Sequence, residues 1–261
     1  MLSLIQEKNR THWFPTEQLH KARDTAWYWF GRTVVDIASR LLINLDIEWH
    51  APLPAGPKIV AANHPSTSDP ALVMLTTPEQ TSCLISETLF KAPVLGRYLD
   101  AAGHIPVVKG NGRAAFEKAQ RLLQEGQTVM IFPEGSLSPD EGGFYPARTG
   151  VARLALSTGA PVVPVGIHLD RKRIQRIETV VDGKTEVGTW YLHGPYAMTV
   201  GEPMYLRGNI DDWPQVRALA QRVMQRIVHL SGESESRLER RGQDAGLLSG
   251  LFELGNLLGG A

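Results

Sequence analysis

The chain has 261 residues, 43% hydrophobic and 21% charged, with 27 basic and 27 acidic side chains. That length suits one large α/β domain, or a domain with an appendage, and the apolar share is enough for a substantial core. Balanced charge gives no case for nucleic acid as a partner; the single cysteine, Cys83, excludes an intrachain disulfide framework and suits a reducing compartment. No Cys/His cluster has the spacing of a zinc site.

The first 24 residues mix acidic and basic side chains and lack an apolar segment, so no secretory signal is expected. Residues 1–12 are polar and read as loose. From Thr16 to about Leu45 the pattern is helical, as one helix or two. Trp27, Phe30, Val34, Ile37 and Leu41 recur at steps of three and four, and Arg32, Asp36 and Arg40 form a separate charged stripe. With Trp13, Phe14, Tyr28 and Trp29 close by, this segment is rich in residues that favour a membrane–water interface. A helix packed on the body of the domain is the competing reading. The charge-free run at 154–169 is broken by Gly159, Pro161, Pro164 and Gly166, so no transmembrane segment is expected.

Residues 47–49 predict a short strand before a Pro/Gly-rich turn. Then strands and helices alternate. Strands are predicted near 58–62, 81–86, 105–108, 128–132 and 162–169, with helical stretches near 70–77, 88–101, 112–125 and 148–157. Cys83 is expected to pack within its strand, and Asn111 is placed to cap the helix at 112–125. Alternation of this kind argues for an α/β fold with a mostly parallel sheet flanked by helices, preceded by the amphipathic helical segment. Pro164 suggests an edge strand or a bulge. The basic run Arg171–Arg176 reads as a solvated loop able to meet anionic head groups. Further strands are expected at 189–193 and 196–206, and a last helix from Pro214 to about Leu230. Residues 231–243 are charged and read as flexible. Beyond them, leucines from Leu247 to Leu258 recur at near-helical spacing, interrupted by Gly250 and Gly255. The expected organisation is an N-terminal membrane-association segment (1–45), an α/β domain (46–230) and a flexible tail (231–261).

Two polar turns carry the chemistry. Asn63-His64-Pro65-Ser66-Thr67-Ser68-Asp69-Pro70 follows the apolar run Ile59-Val60-Ala61-Ala62, and Asp69-Pro70 reads as a helix start with a carboxylate cap. An imidazole beside a carboxylate can be held in one tautomer and act as a general base near neutral pH. Asp69 as a cap and nothing more is the plainer alternative. The second turn, Phe132-Pro133-Glu134-Gly135-Ser136, also leaves an apolar strand. Two such turns at strand ends could line one crevice of an α/β sheet.

Together these turns resemble the blocks of the glycerolipid acyltransferase family, whose best-known members are lysophosphatidate acyltransferases. The His-x-x-x-x-Asp block is His64 to Asp69, after Asn63. A Gly-x-Ile-x-x-x-Arg block is similar to Gly103–Lys109, with lysine for arginine. Phe-Pro-Glu-Gly-Thr-Arg-Ser is similar to 132–138, with Ser136 for Thr and Leu137 for Arg; a hydrophobic block matches Val163-Pro164-Val165. The resemblance spans 63–165 and implies O-acyl transfer from acyl-CoA or acyl carrier protein to a lysophospholipid, foremost 1-acyl-sn-glycerol-3-phosphate. It implies His64 as base with Asp69 behind it, and Asn63, Lys109, Glu134, Gly135 and Ser136 toward substrate. No cofactor or metal is implied, the thioester being a co-substrate. The enzyme would sit peripherally on the cytoplasmic face of a membrane. No Gly-x-Ser-x-Gly elbow is present, in keeping with direct attack by the acceptor hydroxyl. A different lyso-lipid acceptor, such as a lyso-aminolipid, stays open, as do a hydrolase using the same pair and a non-catalytic lipid-binding relative.

Overall fold

In the computed structural model, which describes residues 16–181 and 184–258, the N-terminal helical pattern forms one helix, α1, Thr16–Leu42. Residues 1–12, Trp13 and Phe14 lie outside that range. Strand β1, Ile43–Trp49, follows at once, four residues earlier than the sequence pattern suggests. The remaining order is β2 Ile59–Ala62, α2 Asp69–Val73 with a 3₁₀ turn to Thr76, β3 Thr81–Ser86, α3 Glu87–Phe90, α4 Leu95–Ala101, β4 Ile105–Val107, α5 Arg113–Gln124 and β5 Thr128–Ile131. After these come α6 Gly150–Thr158, β6 Val162–Leu169, β7 Gln175–Val181, β8 Lys184–Trp190, β9 Gly194–Val200 and α7 Trp213–Leu258.

Seven strands form one sheet in the order β1-β9-β6-β2-β5-β3-β4, and every neighbouring pair is parallel except β6 with β9. The α/β, mostly parallel architecture is therefore as expected. All four residues of β2 are fully buried, as a parallel strand covered on both faces requires. Period-two alternation sends Val60 and Ala62 into the layer under α1, α2 and α4, and Ile59 and Ala61 into the layer under α5, α6 and α7.

Helix α1 settles which of its faces packs. Tyr28, Gly31 and Ser39 are buried, and the Arg32 guanidinium donates to the Met74 carbonyl behind α2. The stripe Trp27, Phe30, Val34, Ile37 and Leu41 faces away and is between 45% and 77% exposed.

Several local expectations are corrected. Asn111 does not cap α5; its N–H closes a tight turn on the Val108 carbonyl, and Gly112 is the cap residue. Pro164 lies in an inner strand and not at an edge, and the bulge alternative holds: Val165 faces Val200, the next bridge joins Val162 to Met204, and three residues (201–203) oppose two. The missing N–H falls at that irregularity. Residues 175–181 and 184–190 pair as an antiparallel hairpin, β7–β8, so the basic run is no free loop. Within it Arg171 donates to the Pro139 carbonyl, Arg173 to Asp170 and Arg176 to Asp140.

The largest correction is at the C-terminal end. Helix α7 does not stop at Leu230. At Gly166 a side chain would collide with the backbone at Leu230 and Ser231, so the helix axis lies directly on β6. Ser231 and Ser234 are buried and donate to the carbonyls of Ile167 and Gly166 (2.7 and 2.9 Å). One turn on, Arg237 donates to Asp46 (2.6 Å) and to the Met198 carbonyl (2.8 Å), and Arg241 reaches Asp46 as well (3.0 Å). A charge run that reads as solvated is thus anchored on β1 and β9. The side chains of 243–258 lie outside the described ones.

Candidate active site

The C-terminal ends of β2, β5, β3, β4 and β6 share one edge of the sheet, because these strands run the same way. Both polar turns leave from it, on adjacent strands. Since β9 runs oppositely, its beginning lies at that same edge, with Tyr196 opposite Leu169.

Asp69 is completely buried and is the first residue of α2, not its cap; Ser68 takes the cap position and its side chain makes no capping bond. The carboxylate turns back instead. Its Oδ2 accepts from the Ser66 backbone N–H (2.7 Å) and lies 2.9 Å from His64 Nδ1, while Oδ1 accepts from the Tyr196 hydroxyl (2.8 Å). Burial pushes the carboxyl above the usual range, and the bonds from His64, Ser66 and Tyr196 pull the other way. The same burial and the neighbouring carboxylate push the Tyr196 phenol far up, so it stays a donor. A carboxylate facing Nδ1 fixes the proton there and leaves Nε2 as the basic nitrogen.

His64 is held on every other side too. Its ring stacks on Phe132 at 4.0 Å between centroids. Its backbone N–H donates to Glu134 Oε1 (3.0 Å), and its carbonyl accepts from the Ser138 N–H (2.8 Å). The side chain is 17% exposed, and Nε2 has no partner among the described residues. One nitrogen is locked and the other is open.

The expected site residues divide into three groups. His64, Asp69 and Glu134 come together, but Glu134 is buried, its Oε1 taken by His64 and Ser138 and its Oε2 by the Tyr145 N–H (2.8 Å). Both of its oxygens are thus engaged within the protein, one of them on the His64 backbone N–H. Asn63 is likewise buried, with both ends of its amide bonded to the Ile167 backbone (2.9 and 2.7 Å), and it joins β2 to β6. Gly135 and Ser136 are exposed in the second turn. Lys109 is exposed in the loop after β4, an edge strand separated from β2 by β3 and β5.

Sequence reasoning missed Tyr196, Ser138 and the hairpin. The strand end at Thr189–Tyr191 is bonded to the His64–Asp69 loop: the Thr67 N–H donates to the Thr189 carbonyl (2.7 Å), and the Tyr191 N–H donates to the hydroxyls of Ser66 (3.1 Å) and Ser68 (3.0 Å). A signal for Tyr196 did exist. A tyrosine inside an apolar strand must find a partner for its buried hydroxyl. Among the described residues no group of His, Cys, Asp or Glu is arranged for a metal ion.

Removing the Tyr196 hydroxyl takes away a donor to the charged form of Asp69, so Tyr196→Phe should raise the Asp69 pKa. A ¹³C-carboxyl NMR titration should show Asp69 protonating at higher pH than in the unsubstituted chain; an unchanged midpoint would contradict the role given to Tyr196.

The family model described as Acyltransferase matches residues 45–168. A chloroplast 1-acyl-sn-glycerol-3-phosphate acyltransferase of Brassica napus is 32% identical over 126 residues, which are 46% of this chain and 36% of that protein. One from Limnanthes alba is 33% identical over 130 residues, 47% of this chain and 46% of that protein. The chain thus spans less than half the length of these curated relatives. The crystal structure of the 1-acyl-sn-glycerophosphate acyltransferase PlsC from Thermotoga maritima shares the fold, with a TM-score of 0.57 at 22% identity over 84% of this chain and 82% of that one. Both polar turns and the strands that carry them fall inside the segment that this family model matches.

Proposed function

We propose that the protein transfers a fatty acyl group from acyl-CoA or acyl carrier protein to the free hydroxyl of a lysophospholipid, foremost 1-acyl-sn-glycerol-3-phosphate. The observation that carries this reading is the His64–Asp69 pair, with one imidazole nitrogen bonded to a buried carboxylate and the other open. The hydroxyl oxygen attacks the thioester carbonyl as its proton passes to His64 Nε2. The C–S bond then breaks and the thiolate takes that proton from the imidazolium. Asp69 holds the ring in the productive tautomer and offsets the positive charge that forms on it. The activity for which the two plant relatives are named supports the choice of acceptor.

A lipid acceptor has to be collected from a bilayer, and α1 offers the surface for it. Among the described residues no helix is long and apolar enough to cross a membrane. The outward stripe of α1 is apolar, carries two aromatic residues and is exposed along its length. Seating five such side chains in the acyl–headgroup boundary is worth on the order of 5 kcal/mol. The protein then sits peripherally on the cytoplasmic face, with α1 parallel to the membrane and joined to α2 through Arg32.

His64→Ala should lower turnover by roughly 100- to 10,000-fold, the range for a positioned general base, with an unchanged circular-dichroism spectrum; retention of more than about a tenth of the rate would rule out that role. Replacing Phe30, Val34 and Ile37 together by Glu should abolish flotation with neutral phosphatidylcholine vesicles while leaving the fold intact, since all three side chains already face solvent. Equal flotation of the two proteins would move membrane attachment elsewhere.

A further inference from the structure

The acceptor proposed above is an anion, and the second turn has a leucine, Leu137, where the resemblance implies an arginine. The sequence offers three arginines that could compensate: Arg113, Arg148 and Arg153. Arg113 pairs with Glu117 on its own helix (2.8 Å). Arg153 is spread over the rings of Phe116 and Trp213, at 4.6 and 5.7 Å from their centroids. Both are committed in the layer outside the sheet.

Arg148 is different. Its backbone N–H is fixed on the Pro133 carbonyl (2.8 Å), which brings its side chain back across the turn. There it lies on Gly135: a Cβ at that glycine would stand 2.5 Å from Arg148 Nε, 2.6 Å from Cδ and 2.8 Å from Cζ. Gly135 has φ +69°, so the turn itself calls for glycine, and the space left by the absent side chain is filled by the guanidinium. Arg148 is exposed, and its side chain has no hydrogen bond or ion pair among the described residues. The nearest carboxylate in the turn, Glu134, is buried and already bonded to His64, Ser138 and Tyr145.

Strand spacing decides between Arg148 and Lys109. The turn bearing Gly135, on which Arg148 rests, follows β5, the immediate neighbour of β2, and adjacent strands lie about 5 Å apart. Lys109 follows β4, three strand positions and about 14 Å away. In a lysophosphatidate only three bonds separate the hydroxyl-bearing carbon from phosphorus, a span comparable with one strand spacing. Arg148 fits that span, and its planar fork can present two N–H groups to two phosphate oxygens.

We infer that Arg148, resting on Gly135, holds the anionic group of the acyl acceptor while its hydroxyl faces His64; this deepens the acyltransferase reading and rests on it. The test compares Arg148→Ala and Arg148→Lys with the unsubstituted chain on lysophosphatidate and monoacylglycerol of the same chain length, with one acyl-CoA as donor. Arg148→Ala should raise the Michaelis constant for lysophosphatidate and lower its preference over monoacylglycerol by about 10- to 100-fold, the effect of losing a charge-assisted contact. Arg148→Lys should recover part of that loss. An unchanged preference, or an equal loss on both acceptors, overturns the assignment. If the unsubstituted chain acylates neither acceptor, the acyltransferase reading is what fails. Arg148 is then decided by calorimetric titration with a short-chain lysophosphatidate: equal affinity for the unsubstituted chain and Arg148→Ala overturns the assignment, and a tenfold or greater weakening upholds it.

Discussion

A carboxylate with no exposed surface organises this molecule. Moving an ionised group such as Asp69 out of water costs several kcal/mol unless it is paired and its oxygens are satisfied. Here the bonds come from three separated places: the His64 ring, the Ser66 backbone and the Tyr196 hydroxyl. The first two are local to the turn after β2. The third needs β9 to enter the sheet antiparallel to β6, which brings the start of that strand to the edge where β2 ends. The one antiparallel pair of the seven-stranded sheet is thus also what completes the shell around Asp69.

Other parts of the fold hold the same turn in place. Asn63 fastens the end of β2 to β6, Glu134 and Ser138 hold the His64 backbone, and the Thr189–Tyr191 segment pins Ser66, Thr67 and Ser68. Arg32 links α1 to the end of the helical segment that Asp69 begins. The apolar outer face of α1 is therefore mechanically close to the pair, a useful arrangement if the acceptor arrives from a lipid surface.

What was legible in the sequence follows from the range of the interactions. The apolar runs of β2, β3, β5 and β6 and the His64-to-Asp69 turn are local patterns, and they appear where expected. The partner of Asp69 lies 127 residues further along the chain, and no local periodicity reports such a contact. The polar stretch 231–241 misleads for a related reason: Ser231, Ser234 and Arg237 look solvated until Gly166 and Asp46 are found beneath them. Glu134 and Asn63 were recognised as special residues, yet their side chains turn inward, because a buried polar group must first satisfy its own bonds.

The central claim is that His64 and Asp69 activate the acceptor hydroxyl directly, with no covalent intermediate on the protein. Intact-protein mass spectrometry combined with thiol release, after mixing with acyl-CoA in the absence of any acceptor, tests this most directly. The account predicts no added acyl mass and no burst of thiol; adding lysophosphatidate should then release thiol in step with the diacyl product. An acyl-protein adduct formed with a stoichiometric burst, or steady release of free fatty acid without acceptor, would contradict it.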